Sequence, residues 1–202
     1  MKLADRVSLR SRERKLGLFL ETMQPTAATS VLDTGVDDAG FGADDGCATL
    51  NLFEERYPWP ERITAVGITP GERFREHYPA IRYLQADACA LPFGDGEFDV
   101  YFSNAVIEHV GPRERQQAFA DEALRVARRV FVTTPNRWFP LEVHTRLPLV
   151  HWLPEPAAHR AYDLARKPWA KENHLLGPGD LERLFRGRAR IVNLGMTLVA
   201  IV

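Results

Sequence analysis

The stretch from Ile81 to Val110 constrains the fold of this chain more than any other feature. Its sequence, IRYLQADACALPFGDGEFDVYFSNAVIEHV, contains two short apolar strands, and each strand ends in polar residues where the chain turns. Asp87 follows the first strand, and Ser103 and Asn104 follow the second. An earlier segment, VLDTG at residues 31–35, adds a third strand that ends in an acid and a glycine. Ligands of open α/β sheets bind outside the carboxyl ends of the strands, so the three ends predict one crevice for a nucleoside-like molecule.

Apolar segments and helical segments alternate along the chain, which predicts an α/β fold with a doubly wound, mostly parallel sheet and right-handed crossovers. The predicted strands are Ser30–Thr34, Ile63–Ile68, Ile81–Gln85, Phe98–Phe102 and Val130–Thr134. The predicted helices span residues 3–23, 48–57, 72–77, 113–128 and 179–185. Residues 190–194 and 197–202 flank Gly195 and predict a C-terminal antiparallel hairpin.

A chain of 202 residues fits a single domain, and we expect residues 1–202 to form one. Residues 1–24 form its N-terminal helix. Residues 136–179 are rich in Pro, Trp, His and Arg and lack a clear strand. Because this segment is too small to hold its own core, we expect a helical cap between the fifth and sixth strands that contacts the substrate. Arg137, Arg146, Arg160 and Arg166 in the cap suit a carboxylate or a phosphate.

Composition excludes several classes of protein. The net charge of −1 argues against a nucleic-acid partner. Cys47 and Cys89 lie far apart without CxxC spacing, which suits a reducing cytoplasmic compartment. No apolar run approaches the ~20 residues that span a bilayer, so we expect a soluble protein. The N-terminal helix carries a basic face, which we interpret as solvated. The same face is consistent with peripheral contact with anionic lipid. Its residues are Arg6, Arg10, Arg12, Arg14 and Lys15.

Three segments resemble the class I S-adenosylmethionine-dependent methyltransferases, in particular the type 11 methyltransferase-domain group. They are VLDTG (31–35), ADACALPFGDGEFDVYFSNAVIEHV (86–110) and VFVTTPNRWFP (130–140). The resemblance runs from about residue 30 to residue 202. It implies a Rossmann-like fold, S-adenosyl-L-methionine as the cofactor, and methyl transfer to a small-molecule, glycan or lipid-linked acceptor.

The resemblance also implies which residues contact the cofactor. Gly35 lies beside the methionine part, where a side chain would obstruct binding, and Asp33 orients that loop. Asp87 accepts a hydrogen bond from the adenine amino group, and Ala88 supplies a backbone amide next to it. The full implied set is Asp33, Gly35, Gly67, Asp87, Ala88, Ser103 and Asn104.

Three positions depart from the family pattern. Asp37 and Ala39 occupy places where the family commonly has glycine, and Gly67 stands where an acid usually binds both ribose hydroxyls. Loss of a charged hydrogen-bonding contact costs roughly 1.5–3 kcal/mol, or about tenfold to 150-fold in affinity. An alternative interpretation is therefore a binding or regulatory protein that keeps the methyltransferase fold with weakened or lost cofactor use.

Ser103 and Asn104 lie where the fourth strand opens toward the sulfonium and the acceptor. A hydroxyl acceptor gains from a base that takes its proton, and we expect His144 and His109 in that role, with Glu142 as the third candidate. A nicotinamide-dependent oxidoreductase would need GxGxxG after the first strand, and the chain lacks this motif.

The sequence predicts no metal site. His144 and His151 are seven residues apart and would share a helix face, but no third ligand is evident. The acidic loop after the first strand lacks EF-hand spacing, and we interpret its acids as solvated turn residues. These acids are Asp37, Asp38, Asp44 and Asp45.

Overall fold

A seven-stranded sheet forms the centre of the computed structural model, which describes residues 3–38 and 51–202. Its strands lie in the order β3-β2-β1-β4-β5-β7-β6, and β1 to β5 are parallel. Strand β7 runs antiparallel to both β5 and β6, which confirms the predicted hairpin and the α/β fold. The strands are β1 (Val31–Thr34), β2 (Ile63–Gly67), β3 (Arg82–Gln85), β4 (Phe98–Asn104), β5 (Ala127–Pro135), β6 (Arg190–Asn193) and β7 (Thr197–Ile201).

The helices follow the predicted positions, with small shifts at their ends. The second predicted helix begins at Leu52 in the described residues, and its expected first turn at residues 48–50 lies outside them. Ala39, Gly40, Asp44, Asp45 and Cys47 also lie outside the described residues. The helices are α1 (Leu3–Met23), α2 (Leu52–Arg56), α3 (Glu72–His77), α4 (Arg113–Val126), α5 (Glu155–Leu164) and α6 (Pro178–Leu184).

Strands β1 and β2 are buried along their whole length, which shows that both faces of the sheet are covered there. Alternate residues of β4 face opposite sides. Tyr101 packs edge-to-face on Phe119 of α4, whereas Phe102 stacks on Phe53 of α2 with 3.9 Å between ring centroids. Strands covered on both faces read as near-continuous apolar runs, which explains why these segments were recognisable in the sequence.

Helix α1 is an integral part of the core. Phe19 is fully buried, and its ring packs edge-to-face against the rings of Phe53, Phe102 and Phe131, with centroid distances of 5.1–5.3 Å. Arg129 of β5 donates hydrogen bonds to the carbonyl oxygens of the last turn of α1. The helix is therefore held at a fixed height against the sheet, and this fixes which of its residues reach the strand ends.

The cap segment, residues 136–179, contains α5 and two short 3-10 turns, Val150–Trp152 and Pro168–Glu172. Its small apolar cluster is built from Val150, Ala158, Tyr162 and Ala170. A bridge between Asn136 and Leu176 brings the two ends of the segment together beside β5. A single domain with a substrate-contacting cap stays a prediction. Among the described residues, none of the helices combines the length and apolarity that a membrane span requires.

The burial of Phe19 generates a stability prediction. Phe19→Ala removes an aromatic side chain that four other rings surround, so we expect the free energy of unfolding to fall by about 3–5 kcal/mol. Urea unfolding followed by far-UV circular dichroism measures the change. Leu164→Ala, at a side chain that is 79% exposed, is the control and should shift stability by less than about 0.5 kcal/mol. Equal stabilities of the two variants would contradict the docking of α1.

Candidate active site

A cavity of about 670 Å³ lies at the carboxyl ends of the parallel strands. The sheet order reverses between β1 and β4, and these two strands pair directly, with Thr34 opposite Ser103. Ligands of open α/β sheets bind at such a reversal. The volume is within the range of cavities that hold small molecules and cofactors.

Six of the seven predicted cofactor residues line this cavity: Asp33, Gly35, Gly67, Asp87, Ala88 and Asn104. Ser103 does not. Its side chain is fully buried, and its hydroxyl donates to the Thr34 carbonyl oxygen at 2.9 Å, which ties the ends of β4 and β1 together. Of the predicted catalytic residues, His109 and His144 line the cavity, whereas Glu142 lies behind His144.

Two glycines allow the backbone to pass closely at the cavity floor. Gly35 has a φ of +90°, and a Cβ there would collide with the Val106 side chain. At Gly67 a Cβ would lie 2.5 Å from the Tyr83 hydroxyl oxygen and 3.1 Å from the Val36 carbonyl oxygen. The loop after β1 therefore crosses the end of β2 at the position where an acid was expected. A side chain at position 67 would therefore displace the Tyr83 hydroxyl and press on the Val36 carbonyl oxygen.

Asp33 shares its burial with Glu54, an acid of α2 that the sequence analysis missed. Both side chains are buried, and they are hydrogen-bonded to each other. Burial raises the pKa of Asp33 well above its usual value, and the charge of Glu54 raises it further. Burial also raises the pKa of Glu54, to about 7. Two carboxyl groups at hydrogen-bonding distance in a dry site share one proton near neutral pH.

Asp87 is partly exposed and already has protein partners. Its carboxylate accepts two hydrogen bonds from Nη2 of Arg115, at 3.1 and 2.9 Å, and one from the Cys89 backbone at 2.9 Å. Partial burial works against ionisation, but these bonds outweigh it and hold the pKa of Asp87 below its usual value. The carboxylate is therefore a fixed acceptor at the cavity edge.

Lys15 and Arg12 of α1 line the cavity, whereas the sequence analysis interpreted both as part of a solvated face. Lys15 is buried, and its Nζ donates to Oδ1 of Asn104 at 2.5 Å. Burial, reinforced by the charge of Arg12, lowers the pKa of Lys15 to about 8. The spacing of Arg12, Lys15, Phe19 and Met23 puts all four on one face of the helix. This spacing was the signal that could have identified the two cations.

Other basic residues point elsewhere. Arg10 and Arg14 of α1 are exposed, so contact of this helix with anionic lipid stays a prediction. The four cap arginines, Arg137, Arg146, Arg160 and Arg166, are also exposed, and none of them lines the cavity. Among the described residues, the arginines and lysines that line the cavity are Arg12 and Lys15 of the N-terminal helix and Arg115 of α4, and none of them belongs to the cap.

His144 is oriented by a buried carboxylate. Its Nδ1 lies 2.8 Å from Oε1 of Glu142, which also accepts from the His144 backbone N–H. Oε2 of Glu142 accepts from the Thr145 backbone N–H at 2.6 Å. Burial would raise the pKa of Glu142, but these hydrogen bonds lower it to about 2. Glu142 is therefore a weak base that fixes the ring of His144.

The two histidines titrate differently because their surroundings differ. Burial lowers the pKa of His144, but its bond to Glu142 and the nearby carboxylate of Glu108 outweigh burial, so the net shift is upward. Burial and the charge of His144 both lower the pKa of His109. The rings of the two histidines are in edge-to-face contact, with 4.9 Å between centroids. They form one polar wall of the cavity.

The Asp33–Glu54 pair generates a pH prediction. A raised pKa means that the folded state keeps a proton that the unfolded chain loses, so stability falls as pH rises from about 4 to the folded pKa of about 7. Glu54→Gln removes this penalty. We expect it to stabilise the protein at pH 8 by on the order of 2 kcal/mol more than at pH 4.

Urea unfolding at the two pH values tests this expectation. Glu61→Gln, at an exposed acid nearby in the chain, is the matched control and should track the unmodified protein at both pH values. If the Glu54→Gln curve also runs parallel to that of the unmodified protein, the two acids do not share a proton.

A family model described as a methyltransferase domain matches residues 38–130 of the chain. This segment extends from the loop after β1 into β5, and it includes Asp87, Asn104 and His109. Comparison with curated proteins finds no sequence match.

Solved structures share the fold at low sequence identity. A protein from Pyrococcus horikoshii is 16% identical, with a TM-score of 0.59 over 95% of this chain and 89% of that chain. A SAM-dependent methyltransferase from Aquifex aeolicus is 14% identical, with a TM-score of 0.52 over 93% and 89% of the two chains. Phosphoethanolamine N-methyltransferase 2 from Haemonchus contortus, solved with phosphomonomethylethanolamine and S-adenosylhomocysteine, is 15% identical, with a TM-score of 0.57 over 89% of this chain and 38% of that chain. Residues 38–130 thus match a methyltransferase domain, and the chain shares the fold of class I S-adenosylmethionine-dependent methyltransferases.

Proposed function

We propose that this protein transfers a methyl group to a hydroxyl group of its acceptor. The acceptor is a small molecule, a glycan or a lipid-linked compound, and it also carries an anionic group. The observation that supports this class is the composition of one end of the cavity. There the imidazoles of His109 and His144 lie on the same cavity as the cationic side chains of Arg12 and Lys15. Imidazoles suit a hydroxyl, and the cations suit a carboxylate or a phosphate.

The residues of the cavity fit S-adenosylmethionine. Its amino group carries positive charge, and the buried acid Asp33 suits that charge. Gly35 leaves space for a ligand beside the backbone, because it has no side chain to fill that space. Gly67, at the end of the neighbouring strand β2, likewise has no side chain. Asp87 offers a fixed carboxylate for an amino group such as that of adenine. These assignments follow the family resemblance and the lining of the cavity.

We assign the role of the missing ribose acid to Asp37. The loop that carries it crosses the end of β2, because Gly35 and Val36 both donate backbone hydrogen bonds to the Val66 carbonyl oxygen. Asp38 is engaged elsewhere, since its Oδ1 accepts from the Phe74 backbone N–H at 2.7 Å. The side chain of Asp37 is exposed and lines the cavity. It is the carboxylate best placed to accept hydrogen bonds from ribose hydroxyls.

This assignment predicts the effect of Asp37→Asn. Loss of a charged acceptor for two hydroxyls should weaken the binding of S-adenosylhomocysteine by about tenfold to 100-fold, as measured by titration calorimetry. Asp163→Asn makes the same change in charge at a cap residue outside the cavity and should leave the affinity unchanged. An Asp37→Asn protein that binds with the affinity of the unmodified protein would remove Asp37 from the ribose site.

The cofactor supplies an electrophilic methyl group on a positively charged sulfur. What this chain adds is the alignment and deprotonation of the acceptor. With Nδ1 of His144 bonded to Glu142, Nε2 is the nitrogen left to accept a proton from a hydroxyl. Glu142 acts here as a positioning residue, because its low pKa makes it a poor proton acceptor. Alignment of donor and acceptor contributes roughly 7–11 kcal/mol in well-oriented reactions.

Lys15 positions the acceptor in this proposal. Its pKa of about 8 leaves it mainly protonated at neutral pH, and its bond to Asn104 aims the ammonium group at the strand end. Arg12 lies one helical turn earlier on the same face and lines the same cavity. An acceptor with a carboxylate or a phosphate would bring its own hydroxyl to the imidazole wall.

Matched pairs of hydroxylated compounds test the acceptor class, each pair offering a free carboxylate or phosphate and its neutral ester. Formation of S-adenosylhomocysteine is the readout. We expect turnover with the anionic member of a pair, and His144→Ala should lower kcat by about 10²–10⁴ while cofactor affinity stays constant.

His151→Ala is the control, because this histidine bonds the Phe139 carbonyl oxygen and does not line the cavity. Transfer to amines alone, or equal turnover of the two members of a pair, would contradict the proposed acceptor class.

A further inference from the structure

A buried carboxylate oxygen without a hydrogen-bond partner lies behind the imidazole wall. The side chain of Glu108 is fully buried, and within the described residues its Oε1 accepts no hydrogen bond. The other oxygen, Oε2, accepts from the Thr134 hydroxyl at 2.9 Å. A buried carboxylate oxygen without a hydrogen-bond donor lowers the stability of the folded protein. A bound ligand that contacts this oxygen would remove that cost.

Two imidazole nitrogens face this oxygen. Nε2 of His144 lies 3.8 Å from Oε1 of Glu108, and Nε2 of His109 lies 3.9 Å from it. Both separations are too long for direct hydrogen bonds. One ligand atom from each of the three residues lies within 4.8 Å of the other two. The three atoms therefore surround a common point without bonding one another.

The second ring nitrogen of His144 and the second carboxylate oxygen are held by the protein. Nδ1 of His144 bonds Glu142 at 2.8 Å, and the ring of His109 has a hydrogen-bond partner in the side chain of Asn173. Histidines that bind metals usually donate their second N–H to a carboxylate or a carbonyl in this way, which fixes the tautomer and aims the free nitrogen at the metal. The surroundings of His144 match this arrangement.

The nearest lysine does not satisfy the carboxylate. Lys15 directs its ammonium group to Asn104, and Asn104 also accepts from the Thr133 hydroxyl. Burial raises the pKa of Glu108 to about 7, although the charges of His144 and Lys15 act in the opposite direction. A metal ion would displace any proton on this carboxylate, which remains available as a ligand together with the two imidazoles.

We propose that Glu108, His109 and His144 bind a divalent first-row transition-metal ion such as Zn²⁺, Mn²⁺ or Fe²⁺. Two imidazoles and one carboxylate are a donor set that these ions accept, with coordination positions left open. Ligand bonds of about 2.1 Å place tetrahedral ligands about 3.4 Å apart. The present separations of 3.8 and 3.9 Å need only a contraction of the side chains onto the ion.

The open positions of such an ion face the cavity, because His109 and His144 line it and Glu108 lies behind them. An oxygen donor of the acceptor would take an open position, and a bound cation lowers the pKa of a coordinated hydroxyl. This consequence rests on the proposed hydroxyl acceptor. It replaces proton uptake by Nε2 of His144, since a coordinated nitrogen cannot accept a proton, and the proton of the coordinated hydroxyl would pass to solvent water instead.

Metal binding is tested without any acceptor. The full chain is treated with a chelator and dialysed, and Zn²⁺, Mn²⁺ and Co²⁺ are then titrated in separate calorimetric experiments. We expect one equivalent of at least one ion to bind, and the visible absorption of bound Co²⁺ to report nitrogen and oxygen ligands. Glu108→Gln and His144→Ala should each lower the affinity at least 100-fold, and Glu142→Gln should lower it about 10–100-fold by releasing the ring.

His77→Ala is the matched control, because this exposed histidine of α3 lies outside the cavity, and it should bind the ion like the unmodified protein. Circular dichroism and thermal melting show which variants are folded, and His109→Ala provides a second ligand variant if Glu108→Gln unfolds. Absence of a stoichiometric site, or an affinity that none of the ligand variants changes, overturns the metal site. Neither result affects methyl transfer to a hydroxyl, which the paired acceptors test separately.

Discussion

The pairing of β1 with β4 is the constraint on which the rest of the site depends. These strands are far apart in sequence, yet they lie side by side at the centre of the sheet, and a buried hydrogen bond from Ser103 to the Thr34 carbonyl links their ends. Because the sheet order reverses here, the helices that follow the two strands lie on opposite faces and leave a crevice between them. Asp33 and Asn104 reach that crevice only through this pairing.

The site concentrates ionisable groups that a core would not normally bury. Four of them are buried at or beside the cavity: Asp33, Glu54, Glu108 and Lys15. Burial raises the pKa of each acid and lowers the pKa of the lysine, so it favours the neutral form of every group. Burying such groups costs stability, and the aromatic packing around Phe19 and the covered strands offset that cost. Sites of this kind respond to charged ligands, because a ligand of opposite charge restores the ionised form.

Helix α1 joins the hydrophobic core to the cavity. One face of it packs Phe19 and Met23 against the sheet, and one or two turns earlier the same face carries Lys15 and Arg12 to the cavity. A change in how the helix seats on the sheet would therefore move the cations relative to the imidazole wall. The cap contributes His144, held by Glu142, to the same cavity, so two segments outside the central sheet complete the site.

The sequence by itself determined the α/β fold, the order of strands and helices and the terminal hairpin, because periodicity and turn residues act locally. It also identified Asp33, Asp87 and Asn104 as candidates, since the ends of parallel strands meet at one edge of a sheet. The family resemblance and the predicted cap added His109 and His144.

Only the tertiary structure decided which other groups meet there. Glu54 pairs with Asp33, Glu108 faces His144, and Lys15 reaches Asn104 from the far end of the chain. The structure also shows that the side chain of Ser103 lies in the core and that Glu142 lies behind the imidazole ring of His144. Contacts of this kind depend on how elements pack in three dimensions, and the spacing of residues along one element does not encode them.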